Sequence, residues 1–447
     1  MGIFRAYDIR GVYPDEFDEK MALKVGKAYG THTRYNTVAV GCDARLSSPS
    51  IKAALIRGLV SSGVNVFDVG MVTTPMLYFS RVFFECDGAL MVTASHNPPE
   101  YNGVKMCKEE FAMSPEEIQI LYRLISEGVY RKGRGEIHKR DVIVPYLNFL
   151  KEKVAFERKL KLVIDGGNGT AGLVAGRLFR EIGCEVVSIY CQPDGNFPNH
   201  VPDPTIPENV SDLRNKVIVY NANLGIAYDG DGDRVIFVDE RGNDLCADEA
   251  LALLAREVLY RKRGAKVLCD VKCSKTLTDD VKRHGGKPIV YRTGHTFIRR
   301  KMIEDMIPIA GEASGHVYYN EVGFDDGIFA SLKMVEMLAS KTHKKLSALR
   351  KTLPEYVSTP TIKIDCDDDE KFEVVKKLKK DFAAEYDVVT IDGVRVEFGY
   401  GWGLVRASNT EPVLTLRFEA KTKEQLVDIR EVFTEKLGKY KLYFSSA

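Results

Sequence analysis

Val38-Ala-Val-Gly-Cys-Asp43-Ala-Arg45 opens the pattern that decides the fold. A short β-branched strand runs into an Asp-containing loop, and a helix is expected over 51–61. Gly63 stands past its end, and Val64-Asn-Val-Phe-Asp-Val69 reads as a second strand. The same order returns in Leu162-Val-Ile-Asp165-Gly-Gly-Asn-Gly169, a helix over 173–182, Gly183 and Glu185-Val-Val-Ser-Ile-Tyr190. It returns again in Val267-Leu-Cys-Asp270-Val-Lys272, a helix over 276–283, Gly285 and Pro288-Ile-Val-Tyr291. Strand, helix and strand with glycine after the helix is the βαβ unit of a parallel sheet. Three occurrences about one domain length apart favour three similar α/β domains over a short-period solenoid.

Beyond Pro354 the grammar changes. Thr361-Ile-Lys-Ile364, Val388-Val-Thr-Ile391, Val394-Arg-Val-Glu-Phe398 and Val413-Leu-Thr-Leu-Arg-Phe418 read as strands, flanked by helices over 370–385 and 423–437. Thr422 and Gln425 have the spacing of a capping box for the second helix. Strands clustered between helices indicate a separate α+β module, joined through a linker at 347–360 that holds Pro354 and Pro360. The acidic run 365–370 reads as a solvated turn and helix start.

The totals exclude several classes. A chain of 447 residues suggests about three domains at ~150 residues each. Lys and Arg number 64 against 63 Asp and Glu, a formal charge of +1, without the basic excess of a nucleic-acid binder. Hydrophobic residues make up 45%, enough for ordinary cores, so the chain is not disordered. No apolar run approaches the ~18 residues of a membrane span. Met1-Gly-Ile-Phe-Arg-Ala6 lacks a signal core, and Ala6 stands where a myristoylation signal needs Ser or Thr. Nine cysteines, without a CxxC pair, disfavour a disulfide framework or structural zinc. A cytoplasmic protein with no membrane or nucleic-acid partner is expected.

In Asp229-Gly-Asp231-Gly-Asp233-Arg234 three carboxylates alternate with two glycines. The glycines let the backbone curl until the three carboxylate oxygens converge on one point. Oxygen-only ligands suit a hard cation, Mg²⁺ or Ca²⁺, over zinc. A plain polar turn explains the segment poorly, because adjacent carboxylates repel one another. An EF-hand would use Asp229, Asp231, Asp233 and Glu240, but Arg234 occupies the position that requires Gly and an apolar strand follows at once.

Thr93-Ala-Ser95-His96-Asn97-Pro98 follows the apolar run Gly88-Ala-Leu-Met-Val92, so Ser95 stands in a loop at a strand's C-terminal end, where open α/β sheets place ligands. Small Ala94 should leave the hydroxyl accessible. No Gly-x-Ser-x-Gly elbow surrounds it, which disfavours a hydrolase triad. A Ser-His pair alone is weak evidence; its company decides.

With those residues in place, the chain resembles the α-D-phosphohexomutases, in their phosphomannomutase/phosphoglucomutase branch. The resemblance rests on four separated motifs in the family's order: TASHNP at 93–98, DGDGDR at 229–234, GEASGH at 311–316 and RASNTEP at 406–412. Smaller matches are Tyr7-Asp-Ile-Arg-Gly11, Arg45-Leu-Ser-Ser-Pro49, Phe197-Pro-Asn-His-Val-Pro-Asp-Pro204, Asp270-Val-Lys272 and Thr293-Gly-His295. The resemblance implies a heart-shaped molecule of four domains around a central cleft. These are α/β domains at 1–145, 146–246 and 247–355, carrying the phosphoserine, metal and sugar loops, and an α+β domain at 356–447 carrying the phosphate loop. It implies that Ser95 carries the phosphoryl group, and that Asp229, Asp231 and Asp233, together with Ser95, hold Mg²⁺. It further implies that Glu312, Ser314 and His316 read sugar hydroxyls, that Lys272 contacts sugar or phosphate, and that Arg406, Ser408, Asn409 and Thr410 grip the distal phosphate. His316, Lys105 or His295 is the implied acid/base group, with His316 ranked first. His96 lies beside the nucleophile.

A phosphoserine brings roughly −1.5 to −2 charges. With three aspartates and one Mg²⁺ about −3 remains, so Arg234, Lys105 and Arg10 are expected around the transferring group. The implied reaction interconverts hexose 1-phosphate and 6-phosphate, of mannose or glucose, through a hexose 1,6-bisphosphate, in a monomer or homodimer. Phosphoglucosamine mutase is the alternative within the family. Outside it stand a Ca²⁺-binding module, a phosphatase, and a dinucleotide-binding oxidoreductase suggested by Gly167-Asn-Gly169-Thr-Ala-Gly172. The last lacks the acidic residue where Tyr190 ends its strand, so the glycines read as a tight turn. Trp402 reads as a packing residue.

Overall fold

Each βαβ unit belongs to a sheet of its own, inside it in the first domain and at one edge in the second and third. The computed structural model describes residues 2–5, 8–340, 344–367, 370–408 and 412–444. Thr37–Cys42 pairs in parallel with Asn65–Met71 and with Gly88–Val92. Lys161–Asp165 lies likewise between Glu185–Ile189 and Leu224–Tyr228, and Lys266–Asp270 between Lys287–Tyr291 and Ile309–Gly311. After the third parallel strand the chain reverses every time. Gly88–Val92 turns back into antiparallel Tyr101–Lys108, Leu224–Tyr228 into Val235–Asp239, and Ile309–Gly311 into Val317–Tyr319. The serine, aspartate and GEASGH motifs are these three reversals, so the repeat puts one chemistry-bearing loop at the same place in each domain.

The fourth sheet is antiparallel, with Val413–Ala420 between Gly401–Ala407 and the short strands Val357–Ser358 and Ile362–Asp365. Helices Lys371–Ala383 and Lys423–Gly438 pack their apolar residues into its core. The reversal between Gly401–Ala407 and Val413–Ala420 carries RASNTEP, so the phosphate motif also sits on a hairpin. Four sheets replace the three domains that length alone suggested.

Several local expectations change. Gly401–Ala407 is a strand despite its two glycines, because a side chain at 403 would strike the Phe433 ring 2.4 Å away. Helix Ser48–Ser61 begins ahead of 51, with Pro49 in its first turn, where a missing N–H costs nothing. The span 173–182 splits into a 3₁₀ turn at Thr170–Leu173 and a helix at Ala175–Glu181. The capping box is half built: Thr422 accepts from Gln425 N at 3.3 Å, while Gln425 Oε1 finds no partner. The linker 347–360 contains the end of a helical turn, Leu346–Arg350.

One apolar core runs through the first three domains, from Ala39 and Leu77 through Phe179 and Phe237 to Phe329 and Leu353. The C-terminal domain has its own core, and among the described residues Val271, Trp402 and Leu404, with Val290 against them, form a small apolar cluster between it and the third domain. Among the described residues no helix is long and apolar enough to cross a membrane.

Candidate active site

Ser95 adopts φ 52°, a left-handed conformation that serine visits only when its surroundings impose it. Arg45 does the imposing. It is 1% exposed, and its Nη2 donates to Ser95 O at 2.8 Å and Asn97 O at 2.6 Å, while Nη1 donates to Tyr101 O at 2.9 Å and to Pro98 O. Asp43 accepts from Arg45 Nε at 3.1 Å and from Thr93 Oγ1 at 2.7 Å, and Thr93 Oγ1 accepts Ser95 N at 2.8 Å. The loop therefore has one conformation. Small Ala94 does not expose the hydroxyl as expected: Ser95 is 1% exposed, because the aspartate loop of the second domain closes over it.

The closure is direct. Ser95 Oγ donates to Asp229 Oδ2 at 2.7 Å. A side chain at Gly230 would strike Ser95 O at 2.5 Å, and Gly232 takes φ 75° to curl the chain. The curl brings oxygens of Asp229, Asp231 and Asp233, all buried, within 4.8 Å of one another. Thr74 Oγ1 donates to Asp231 Oδ2 at 2.5 Å, and Lys105 Nζ donates to Asp231 at 2.7 Å and to Asp233, all across the domain boundary. The turn after Asp165 supports the same loop, with Thr170 N donating to Gly230 O at 3.0 Å. That turn is a prop and not a dinucleotide cradle. The EF-hand alternative also fails, since Glu240 accepts from Ser347 and the strand Val235–Asp239 follows the aspartates directly.

Burial and the charges of Asp233 and Asp231 push the Asp229 carboxyl well up. Burial would raise Asp231 and Asp233 too, but Lys105, helped at Asp233 by His316, holds both below the usual carboxylate range. Burial alone would lower Lys105; the three aspartates reverse it and keep the ammonium charged. Asp231 Oδ1 and Asp233 Oδ1 are buried without a hydrogen-bond partner. Orphaned hard oxygens converging on one point fit a hard divalent cation.

Arg234 Nε lies 3.8 Å from Asp229 Oδ2 without a hydrogen bond. Arg10 gives Nη1 to Asn97 Oδ1 at 2.7 Å and Nη2 to Asp8, and its Nε is likewise unpartnered. His96, next to the serine, binds Asp203 through Nδ1 at 2.7 Å; Arg234 and burial pull its imidazole down to about 4.

The third loop docks on the second. Arg234 and His316 form an isolated antiparallel bridge, and Val235 N donates to Gly315 O at 3.1 Å. His316 Nε2 thereby comes within 3.4 Å of Asp233 Oδ1 and 3.7 Å of Asp325 Oδ2, while Nδ1 lies 2.9 Å from Ser314 Oγ. Burial and then Asp233 raise Asp325 to about 6. His295 stacks on His316 at 6.0 Å; burial, Lys105 and His316 lower it to about 3. Both oxygens of Glu312 are engaged, one by Gly294 N and one by Tyr318 OH, each at 2.8 Å. Asp270 gathers Lys272 at 3.5 Å, Thr293 Oγ1 at 3.1 Å and Ala313 N at 3.4 Å.

Asp392 joins the fourth loop to the third, accepting Thr293 N at 3.0 Å and pairing with Arg406 at 3.3 Å. Arg406 lies on the strand Gly401–Ala407 and Ser408 is buried just past it; Asn409 and Thr410 lie outside the described residues. An unbroken line of contacts thus runs from Ser95 through the aspartates, His316 and Glu312 to Asp392 and Arg406.

Models of four domains of phosphoglucomutase/phosphomannomutase match the chain in order: α/β/α domain I over 1–131, domain II over 144–242, domain III over 247–356 and the C-terminal domain over 362–436. The chain belongs to the phosphoglucomutase/phosphomannomutase family. It is 43% identical over 441 residues, 97% of this chain and 95% of the relative, to phosphomannomutase/phosphoglucomutase of Pseudomonas aeruginosa. It is 40% identical over 442 residues, 96% of this chain and 95% of the other, to phosphoglucomutase of Neisseria gonorrhoeae. The crystal structure of a family protein from Burkholderia thailandensis superposes with a TM-score of 0.93 at 41% identity, covering 99% of both chains. The chain is therefore an enzyme of the α-D-phosphohexomutase superfamily.

For a phosphohexomutase, sequence reasoning left out the residues that act on others. Arg45 stands in the sequence only as part of a short match, yet it shapes the nucleophile loop. Asp203, Thr74 and Asp392 each meet a site residue from another segment. Asp325 reads in the sequence as one of a pair of acids before an apolar helix. Trp402 is a buried packing residue, as expected.

Proposed function

We propose that the enzyme interconverts hexose 1-phosphate and hexose 6-phosphate, with mannose and glucose as the sugars, through a phosphorylated Ser95 and a hexose 1,6-bisphosphate. The hydrogen bond from Ser95 Oγ to Asp229, inside a cage of three buried aspartates, is the observation that carries this reading. Asp229, Asp231 and Asp233 would hold Mg²⁺, with the serine's phosphoryl oxygen as a further ligand; the ion would supply charge to offset the phosphoryl oxygens. The unpartnered N–H groups of Arg10 and Arg234 are donors for that same group, and charge stabilisation is the main catalytic resource in phosphoryl transfer.

In the first transfer the sugar hydroxyl oxygen bonds phosphorus as the Ser95 Oγ–P bond breaks. The hydroxyl proton passes to His316, and Ser95 Oγ takes a proton from the Lys105 ammonium. The bisphosphate then turns end over end. In the return transfer Ser95 attacks the other phosphate, its proton goes back to Lys105, and His316 gives its proton to the departing sugar oxygen, which restores the enzyme. Arg406, Ser408, Asn409 and Thr410 receive whichever phosphate is distal, and Lys272, Glu312 and Ser314 orient the ring. His96 and His295 flank the reacting groups. The domain limits 1–145, 146–246, 247–355 and 356–447, a mobile last domain, a cytoplasmic location and a monomeric or dimeric state belong to the same reading.

The test is turnover of mannose 1-phosphate and glucose 1-phosphate with a trace of bisphosphate. Wild type should convert both, and Ser95→Ala should lose at least ~10³-fold in kcat. Normal turnover by Ser95→Ala would rule the mechanism out.

A further inference from the structure

We infer that Asp325 is the positioning residue of His316, the carboxyl group that fixes the imidazole for proton exchange with the sugar hydroxyl; this rests on the mutase reading above. Asp325 ends the two-residue strand Phe324–Asp325, which pairs with Tyr318–Tyr319 beside the GEASGH loop. It is fully buried, and neither carboxyl oxygen has a hydrogen-bond partner. Its neighbour Asp326 makes the structural contacts instead, accepting Tyr146 OH at 2.8 Å and capping the following helix through Phe329 N at 2.9 Å. A buried carboxyl that bonds nothing weakens the fold, so structure alone gives no reason for it.

The surrounding cations are engaged elsewhere. Arg299 donates to Gly323 O at 3.1 Å and to Cys107 Sγ, with its guanidinium 4.6 Å from the Tyr78 ring centre. Lys105 is held by Asp231 and Asp233. His316 remains, its Nε2 3.7 Å from Asp325 Oδ2. The ring is stacked between His295 at 6.0 Å and Tyr318 at 6.2 Å, so its plane is set, and Ser314 Oγ stands 2.9 Å from the opposite nitrogen.

This arrangement assigns the nitrogens. Asp233 and Asp325 face Nε2, whereas the one carboxylate near Nδ1, Glu312 Oε2 at 3.6 Å, already accepts Tyr318 OH. The tautomer with the proton on Nε2 is therefore favoured, and the Nδ1 lone pair is left on the side of the sugar-reading Ser314. Asp233 serves the aspartate cage, so Asp325 is the carboxylate dedicated to the imidazole. At 3.7 Å the contact is longer than a hydrogen bond, as catalytic contacts in free enzymes often are before substrate seats. In the transfer described above Asp325 gains and loses no proton. It is the counter-charge of the imidazolium that forms when His316 takes the hydroxyl proton.

Asp325→Asn keeps the shape and removes the charge. We expect kcat for mannose 1-phosphate to fall about 100-fold, KM to stay within about threefold, and the melting temperature to hold or rise. Because Asp325 acts through His316, the double variant Asp325→Asn/His316→Ala should be no slower than His316→Ala alone. Wild-type kcat in Asp325→Asn, losses that multiply in the double variant, or failure of Asp325→Asn to fold would each overturn the inference. Absence of turnover in wild type would instead fell the mutase reading, and this inference with it.

Discussion

The serine–aspartate side of the cleft and the joint to the C-terminal domain are built in opposite ways. On the first side, three domains share one apolar core, and Ser95, Thr74 and Lys105 all bond the aspartate loop across a domain boundary. At the joint a small apolar cluster of Val271, Val290, Trp402 and Leu404 is accompanied by polar contacts. Arg395 Nη1 donates to Val271 O and Cys273 O, each at 2.8 Å, and Arg417 Nη1 donates to Lys272 O at 3.0 Å. Glu419 Oε1 takes Lys275 N and Trp402 Nε1, each at 2.7 Å. A close-packed core has one arrangement, whereas a small polar interface permits relative motion of domains. In the proposed mechanism phosphoryl transfer needs the first, and a grip that accepts either end of a turned sugar needs the second. The joint is also where Lys272, a substrate residue in the proposed mechanism, is held, through the bond from Arg417 to its carbonyl.

The comparison predicts graded outcomes. Arg45→Lys strikes the rigid side: one ammonium cannot serve four carbonyls and Asp43, so we expect a loss of about 3 kcal/mol of stability and a fall in kcat of at least ~10²-fold. Near-normal unfolding by urea would mean that the serine loop does not depend on this clamp. Arg417→Ala strikes the joint. It releases one carbonyl at a half-buried site, so KM should rise about tenfold with kcat within about threefold, and stability should drop by about 1 kcal/mol. A kcat loss as large as that of Arg45→Lys would erase the distinction between the two regions.

Glu117, outside both, gives the smallest effect. The His32 imidazole, 3.6 Å away, outweighs burial and, with Ser114 and Lys108, holds its carboxyl at about 2 in the fold. The folded value is below the unfolded one of about 4.3, so the stabilisation is complete above that pH and is lost as pH falls toward 2. The melting-temperature gap between wild type and Glu117→Gln should therefore be constant from pH 6 to pH 5 and shrink below about pH 4. A gap that widens on acidification would contradict the assignment.

How much of this the sequence carries depends on the kind of group doing the work. The aspartate loop, Ser95 and the four motifs were legible because their chemistry lies in side chains at fixed spacing. The three βαβ repeats were legible from strand and glycine punctuation. The common hairpin position of the loops was not, since which strands pair is set by packing and carries no residue signature. Arg45 escaped because it acts on the backbone carbonyls of Ser95, Asn97, Pro98 and Tyr101, which carry no residue identity. Asp325 escaped because a carboxyl before an apolar helix looks like a cap, a task Asp326 performs. The strand Gly401–Ala407 was hidden by its glycines, of which Gly403 makes room for Phe433 and Gly401 for the backbone of Glu419.

The central claim concerns where a phosphoryl group rests. Incubating the enzyme with glucose 1,6-bisphosphate, digesting it and weighing the peptides reads this directly. Wild type should gain one phosphoryl group on the peptide containing Ser95, lose it on addition of hexose 1-phosphate, and gain none in Ser95→Ala. Phosphate on a different residue, or an unmodified Ser95 peptide in an enzyme that turns over, would contradict the account.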